Sequence, residues 1–132
     1  MTILVIEDSR FLRVATERAL VKAGHRVVTT ADGQDGLRLA QQENLDVILL
    51  DMMLPSLEGT AVLRQLKQNP LTKAIPVIIL SSLPQKNEAK LKKAGAAAYF
   101  EKSKLKLDDE ATGLVRVLED LMTKLAPTRA KD

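Results

Sequence analysis

Hydrophobic residues are unevenly spread along this chain; they gather into short aliphatic runs that stop abruptly. Ile3-Leu4-Val5-Ile6 ends at Glu7-Asp8, and the pattern recurs over His25 to Thr30, Asp46 to Leu50, Ile75 to Leu80 and Ala97 to Phe100. Runs this short, partly β-branched and halted by charge, read as strands buried on both faces. The segments between them have helical length and composition: Ser9 to Ala23, Gly33 to Glu43, Glu58 to Gln68, Pro84 to Ala94, and about Asp108 to Leu125. Their ends carry matching punctuation. Gly24 and Gly95 stand where a left-handed residue closes a helix, Asn69-Pro70 stops the third helix, and Pro84 suits the first turn of the fourth. In the last segment Leu114, Val117, Leu118, Leu121 and Leu125 share one face of a helix.

Strand and helix alternating in this way predict a parallel sheet covered on both faces by right-handed crossovers, a three-layer α/β sandwich. No repeat or linker divides it. Residues 1–125 are expected to form one domain and Ala126 to Asp132 a polar tail, too short to hold an output module.

Composition narrows the chemistry. The 132 residues include no cysteine, which excludes thiolate catalysis, Cys-ligated zinc and iron–sulfur clusters. The single histidine, His25, excludes multi-histidine metal sites and is expected to be an ordinary surface residue. A net charge of +3 is too mild to argue for nucleic acid, and aromatics (Phe11, Tyr99, Phe100) are too few for a base-stacking platform, so no direct nucleic acid binding is expected. The apolar runs are far shorter than a spanning helix. A cytoplasmic protein without membrane insertion is the simplest expectation.

In open parallel sheets ligands bind beyond the carboxyl ends of the strands, where strand order reverses. The strand ends here carry Glu7-Asp8, Asp51, Ser81-Ser82 and, two residues past the fifth run, Lys102. With strand order 2-1-3-4-5, the three carboxylates converge. They would repel one another strongly, and a hard cation such as Mg²⁺ relieves that repulsion while keeping waters and a phosphate oxygen. A hydroxyl and a lysine nearby would then hold a phosphoryl group by positioning and charge. Singly, each residue has a plainer role: Asp8 or Ser9 as a helix cap, Asp51 as a turn residue, Ser81 or Ser82 as a cap, Lys102 as a surface charge. Their conjunction at one sheet edge favours the site.

These motifs resemble the receiver domain of two-component response regulators over residues 2 to about 125. Ile3-Leu4-Val5-Ile6-Glu7-Asp8-Ser9 is similar to the family's acidic-pair strand, and Asp46 to Pro55 with Gly59 to its phosphoacceptor segment. Val77 to Ser82 resembles the strand ending in the switch hydroxyl, and Ala94-Gly95-Ala96 to Lys102 the run into the family's lysine. The resemblance implies a flavodoxin-like (βα)₅ fold with sheet order 2-1-3-4-5 and a stand-alone receiver like that of chemotaxis regulators. It implies that Asp51 accepts a phosphoryl group from a sensor histidine kinase or His-phosphotransfer protein. Asp8, Asp51 and the Met53 main-chain carbonyl would then coordinate Mg²⁺ (or Mn²⁺), with Glu7 acting largely through bound water. Ser81 and Lys102 would hold phosphoryl oxygens, and Tyr99 would swing inward on activation. Such a protein assists its own phosphorylation and dephosphorylation without being a turnover enzyme.

One departure from the family pattern is Ser103, where proline after a cis bond is usual; a cis bond to a non-proline residue is costly, so a trans Lys102-Ser103 bond is expected. The main competing reading is a receiver-fold scaffold that works independently of phosphorylation. A flavin protein of the same fold is disfavoured because Glu7-Asp8 repels phosphate, and an aspartyl-phosphatase because position 53 is Met rather than the second Asp. Residues 86–106 hold seven lysines against Glu88 and Glu101. Lys90, Lys93, Lys104 and Tyr99 are therefore expected to form a face for a separate, acidic output protein.

Overall fold

The computed structural model describes residues 1–52, 58–81, 88–101 and 112–129. Its elements are β1 (Thr2–Ile6), α1 (Arg10–Lys22), β2 (Arg26–Thr30), α2 (Gly33–Gln42), β3 (Val47–Asp51), α3 (Gly59–Gln68), β4 (Val77–Ser81), α4 (Glu88–Lys93), β5 (Ala98–Glu101) and α5 (Thr112–Arg129). The five strands are parallel and ordered β2-β1-β3-β4-β5, the flavodoxin-like arrangement expected from the sequence.

Period-two alternation divides each strand between two cores. Leu4, Ile6, Ile48, Leu50, Val77, Ile79 and Tyr99 pack with Ala40, Val62, Leu63, Leu66 and Leu91 from α2, α3 and α4. Ile3, Val5, Val47, Leu49, Ile78, Leu80 and Ala98 pack with Ala19 and Leu20 of α1 and Leu118 and Met122 of α5. The sheet is thus the middle of three layers, and each buried side chain of this size contributes roughly 1.5–3 kcal/mol of transfer free energy.

Boundaries moved where local hydrogen bonds compete with the ladder. His25 stays outside β2 because its amide closes α1 onto Leu20 O at 3.0 Å. Ile75 is excluded from β4 because its amide makes a turn to Thr72 O at 3.0 Å. Gly24 and Gly95 adopt φ of 96° and 113°, the left-handed closure expected of them. α5 continues to Arg129, so helical backbone enters the segment read as a tail. Its buried face centres on Leu118 and Met122, with Val115 and Leu121 packed beside them. Met122 was therefore missing from the sequence stripe; the Leu114 and Leu125 side chains lie outside those described.

His25 corrects the expectation of a plain surface residue. Its ring is 11% exposed; Nδ1 lies 3.1 Å from the Met1 nitrogen and Nε2 2.9 Å from Glu119 Oε2. It joins the start of the sheet to α5. Lys67 has a similar structural role at the sheet's amino edge, donating to Ile75 O at 2.8 Å and Lys73 O at 3.2 Å. Burial pushes its ammonium pKa below the usual lysine value. Among the described residues no helix is long and apolar enough to cross a membrane.

Candidate functional site

The register of the sheet determines which strand ends meet. Ile6 pairs with Leu50 across β1 and β3, so Glu7 and Asp51, each one residue further on, end neighbouring strands at the same edge. Asp51 pairs with Leu80 and Ser81 with Glu101, which continues that edge across β4 and β5. Glu7 and Asp51 are both only 5% exposed, whereas Asp8 is exposed at the rim.

The β1 to α1 turn is tightly hydrogen-bonded. Glu7 donates its amide to Thr30 O at 3.0 Å, and its Oε2 accepts from the Ser9 amide at 3.0 Å. Ser9 is the helix cap: its backbone is extended and its Oγ accepts from the Leu12 amide at 3.3 Å. The capping role therefore falls to Ser9. Arg13, one turn into α1, sends Nη1 back to the carbonyls of Glu7 at 2.9 Å and Asp8 at 3.3 Å.

Asp51 closes β3, and the chain beyond it is held by α3. The Gly59 amide donates to Met52 O at 3.0 Å. A Cβ at Gly59 would stand 2.7 Å from Asp51 O and 2.6 Å from Met52 Cα, so only glycine lets the helix start this close. At the end of β2, Asp35 in the first turn of α2 bonds to Arg38 and to the Thr30 hydroxyl, which together hold its carboxyl below the usual aspartate range.

The donor set suits a hard cation: carboxylates of Glu7, Asp8 and Asp51 at one edge, with no softer ligand among them. Among the described residues no three His, Cys, Asp or Glu side chains stand close enough to hold a metal alone. Mg²⁺ is commonly held through one or two carboxylates, with waters and phosphate oxygens completing its shell.

Tyr99 is 2% exposed, its ring in the core cluster that includes Leu91 and Ala96, so in this conformation it presents no surface to a partner. Lys90 and Lys93 are exposed on α4. The backbone of Ser81 ends β4. The Ser81 side chain, Met53, Lys102 and Lys104, with the Lys102-Ser103 bond, lie outside the described residues. Sequence reasoning passed over Arg13, whose spacing from Glu7 carries no periodic signal. It also passed over the outer face of α1, where exposed Phe11 and half-buried Val14 line an open groove between Arg10 and Arg18.

Residues 3–109 match the response regulator receiver domain family. PilH of Pseudomonas aeruginosa is 39% identical over 101 residues, covering 76% of this chain and 84% of PilH. The chemotaxis response regulator CheY4 of Vibrio cholerae superposes with a TM-score of 0.81 at 25% identity, covering 91% of this chain and 97% of that one. The receiver domain of the sensor histidine kinase PA1611 of Pseudomonas aeruginosa, which has a magnesium ion in its active site cleft, gives 0.78 at 27% identity over 92% and 97% of the two chains. Two further relatives, each 41% identical over the matched residues, are longer proteins of which this chain spans 35% and 15%.

Proposed function

The chain belongs to the response regulator receiver domain family, and on that premise we propose that it accepts a phosphoryl group on Asp51 in a Mg²⁺-dependent reaction and signals through its α4-β5-α5 face. The observation that carries this reading is the placement of Glu7 and Asp51, both buried, at adjacent strand ends with Asp8 at the rim. The donor is a phosphohistidine of a sensor histidine kinase or phosphotransfer protein. An Asp51 oxygen attacks phosphorus as the P–N bond breaks, and the electron pair leaves with the imidazole. Asp8 and Asp51, with the Met53 carbonyl, would hold Mg²⁺ directly, and Glu7 would act through bound water. The ion supplies positive charge for the phosphoryl oxygens. Ser81 and Lys102 bind those oxygens, and Tyr99, buried here, would be the ring that moves with the switch. The groove on α1 between Arg10 and Arg18 would give the donor an apolar footing at Phe11.

In this reading residues 1–125 are the receiver, the protein acts in the cytoplasm, and it is a phosphoacceptor rather than a turnover enzyme. Intact mass after incubation with a small phosphodonor tests it. One added phosphoryl group is expected with Mg²⁺ and none after chelation. An unchanged mass under conditions that label another receiver favours the scaffold reading.

Output passes to a separate protein of acidic surface across α4, where Lys90 and Lys93 stand exposed. Reversing both to Glu is expected to lower that partner's association rate about tenfold at low salt, and to leave Asp51 labelling by a small donor intact. Stopped-flow association across a salt series measures this, and a rate independent of salt contradicts it.

A further inference from the structure

Glu7 is held at three points, and one of them has no counterpart in the role assigned to the site. Its amide donates to Thr30 O, and its Oε2 accepts from the Ser9 amide. Its carbonyl accepts from Arg13 Nη1 at 2.9 Å, and the same nitrogen reaches the Asp8 carbonyl at 3.3 Å. Arg13 is itself anchored, since its amide closes the first turn of α1 on Ser9 O at 2.8 Å. A half-buried cation thus spans the two peptide oxygens of the acidic pair, bonding main chain rather than carboxylate.

We propose that Arg13 is a positioning residue: by clamping the Glu7 and Asp8 carbonyls it fixes where both carboxylates point and so sets the affinity for Mg²⁺. This rests on the phosphoacceptor reading above. Two physical effects of Arg13 have opposite signs. A cation beside a divalent-ion site repels the ion, so through charge alone its removal would tighten Mg²⁺. Through geometry its removal frees the Asp8 peptide, whose side chain is exposed, and Mg²⁺ is intolerant of displaced oxygen ligands. The clamp predicts weakening despite the loss of a repelling charge. A role confined to fold stability predicts no change in affinity while the protein remains folded.

Titration calorimetry of Mg²⁺ into the wild type, Arg13→Gln and Arg13→Lys decides, with circular dichroism checking that each is folded. Arg13→Gln is expected to weaken Mg²⁺ about tenfold, the low end for partners that orient metal ligands. Arg13→Lys keeps the charge and a single donor nitrogen, but on a stem one bond shorter and more flexible, and is expected to weaken it about threefold. Affinity within twofold of wild type in Arg13→Gln, or tighter binding, overturns the proposal. If Arg13→Gln does not fold, Arg13→Lys decides, and unchanged affinity there overturns it. Failure of the wild type to bind Mg²⁺ would overturn the phosphoacceptor reading and this inference together; wild-type binding lost in Asp51→Asn but unchanged in both Arg13 variants overturns only the inference.

Discussion

Asp51→Asn is expected to abolish phosphorylation completely and, at the same time, to raise the thermal stability of the metal-free protein. The first effect is chemical, because an amide oxygen has neither the charge nor the free electron density to attack phosphorus. The second follows from placement. Glu7 and Asp51 are both 5% exposed at adjacent strand ends, so the Asp51 carboxylate sets a second negative charge beside Glu7 where solvent screens poorly. Asn keeps the shape and removes the charge. Coulombic relief at an effective dielectric near 20 is on the order of 1–2 kcal/mol. That corresponds to roughly 3–8 °C in Tm for a domain of this size. Mg²⁺ should reverse the order. At a hundred times its Kd the ion stabilises the wild type by about 2.7 kcal/mol and a variant that binds poorly by much less. Thermal unfolding of both proteins with and without Mg²⁺, beside intact mass with a phosphodonor, measures all three outcomes. Labelling that survives Asp51→Asn places the acceptor elsewhere, and a variant less stable than wild type without metal contradicts the crowding of charge.

The elements and the acidic edge were legible because each is written in local pattern. β1 ends where Ile6 meets Glu7, and α1 closes where Gly24 permits a positive φ that other residues resist. Strand order then does the rest: once β1 and β3 are neighbours, residues one step past their last apolar pair must share an edge. What escaped the sequence depends on contacts that no period encodes. His25 meets Glu119 across 94 positions, so its burial could not be read from its own neighbourhood. Arg13 looks like any surface arginine of a basic helix, and only the backward course of its side chain makes it part of the site. Met122 lies one turn after Leu118 on the same face of α5 and joined the core there; a stripe counted in leucine and valine passes over it, and Met adapts readily to such a gap.

Gly59→Ala is expected to damage stability and phosphorylation together, through a single added carbon. Gly59 begins α3, where alanine would ordinarily help by up to about 1 kcal/mol. Here the added Cβ would stand 2.6 Å from Met52 Cα, 2.7 Å from Asp51 O and 2.8 Å from Met52 Cε. The Met52 methyl can rotate away, but the two backbone atoms cannot, so either the helix start or the end of β3 must shift. Overpacking of this kind costs roughly 1–3 kcal/mol. The net expectation is a loss of about 1–2 kcal/mol, a Tm lower by roughly 3–8 °C. The displaced backbone belongs to the proposed nucleophile, and misplacing a reacting group by a fraction of an ångström to an ångström costs up to about a hundredfold in rate. Phosphorylation by a small donor should therefore slow at least tenfold at a temperature where the variant is fully folded. Gly24→Ala provides the control, since φ of 96° makes alanine strained there while nothing lies within 4 Å of its Cβ. It should lose about 1 kcal/mol and label at the wild-type rate. Equal labelling rates in Gly59→Ala and Gly24→Ala would show that the start of α3 supports the fold without setting the position of Asp51.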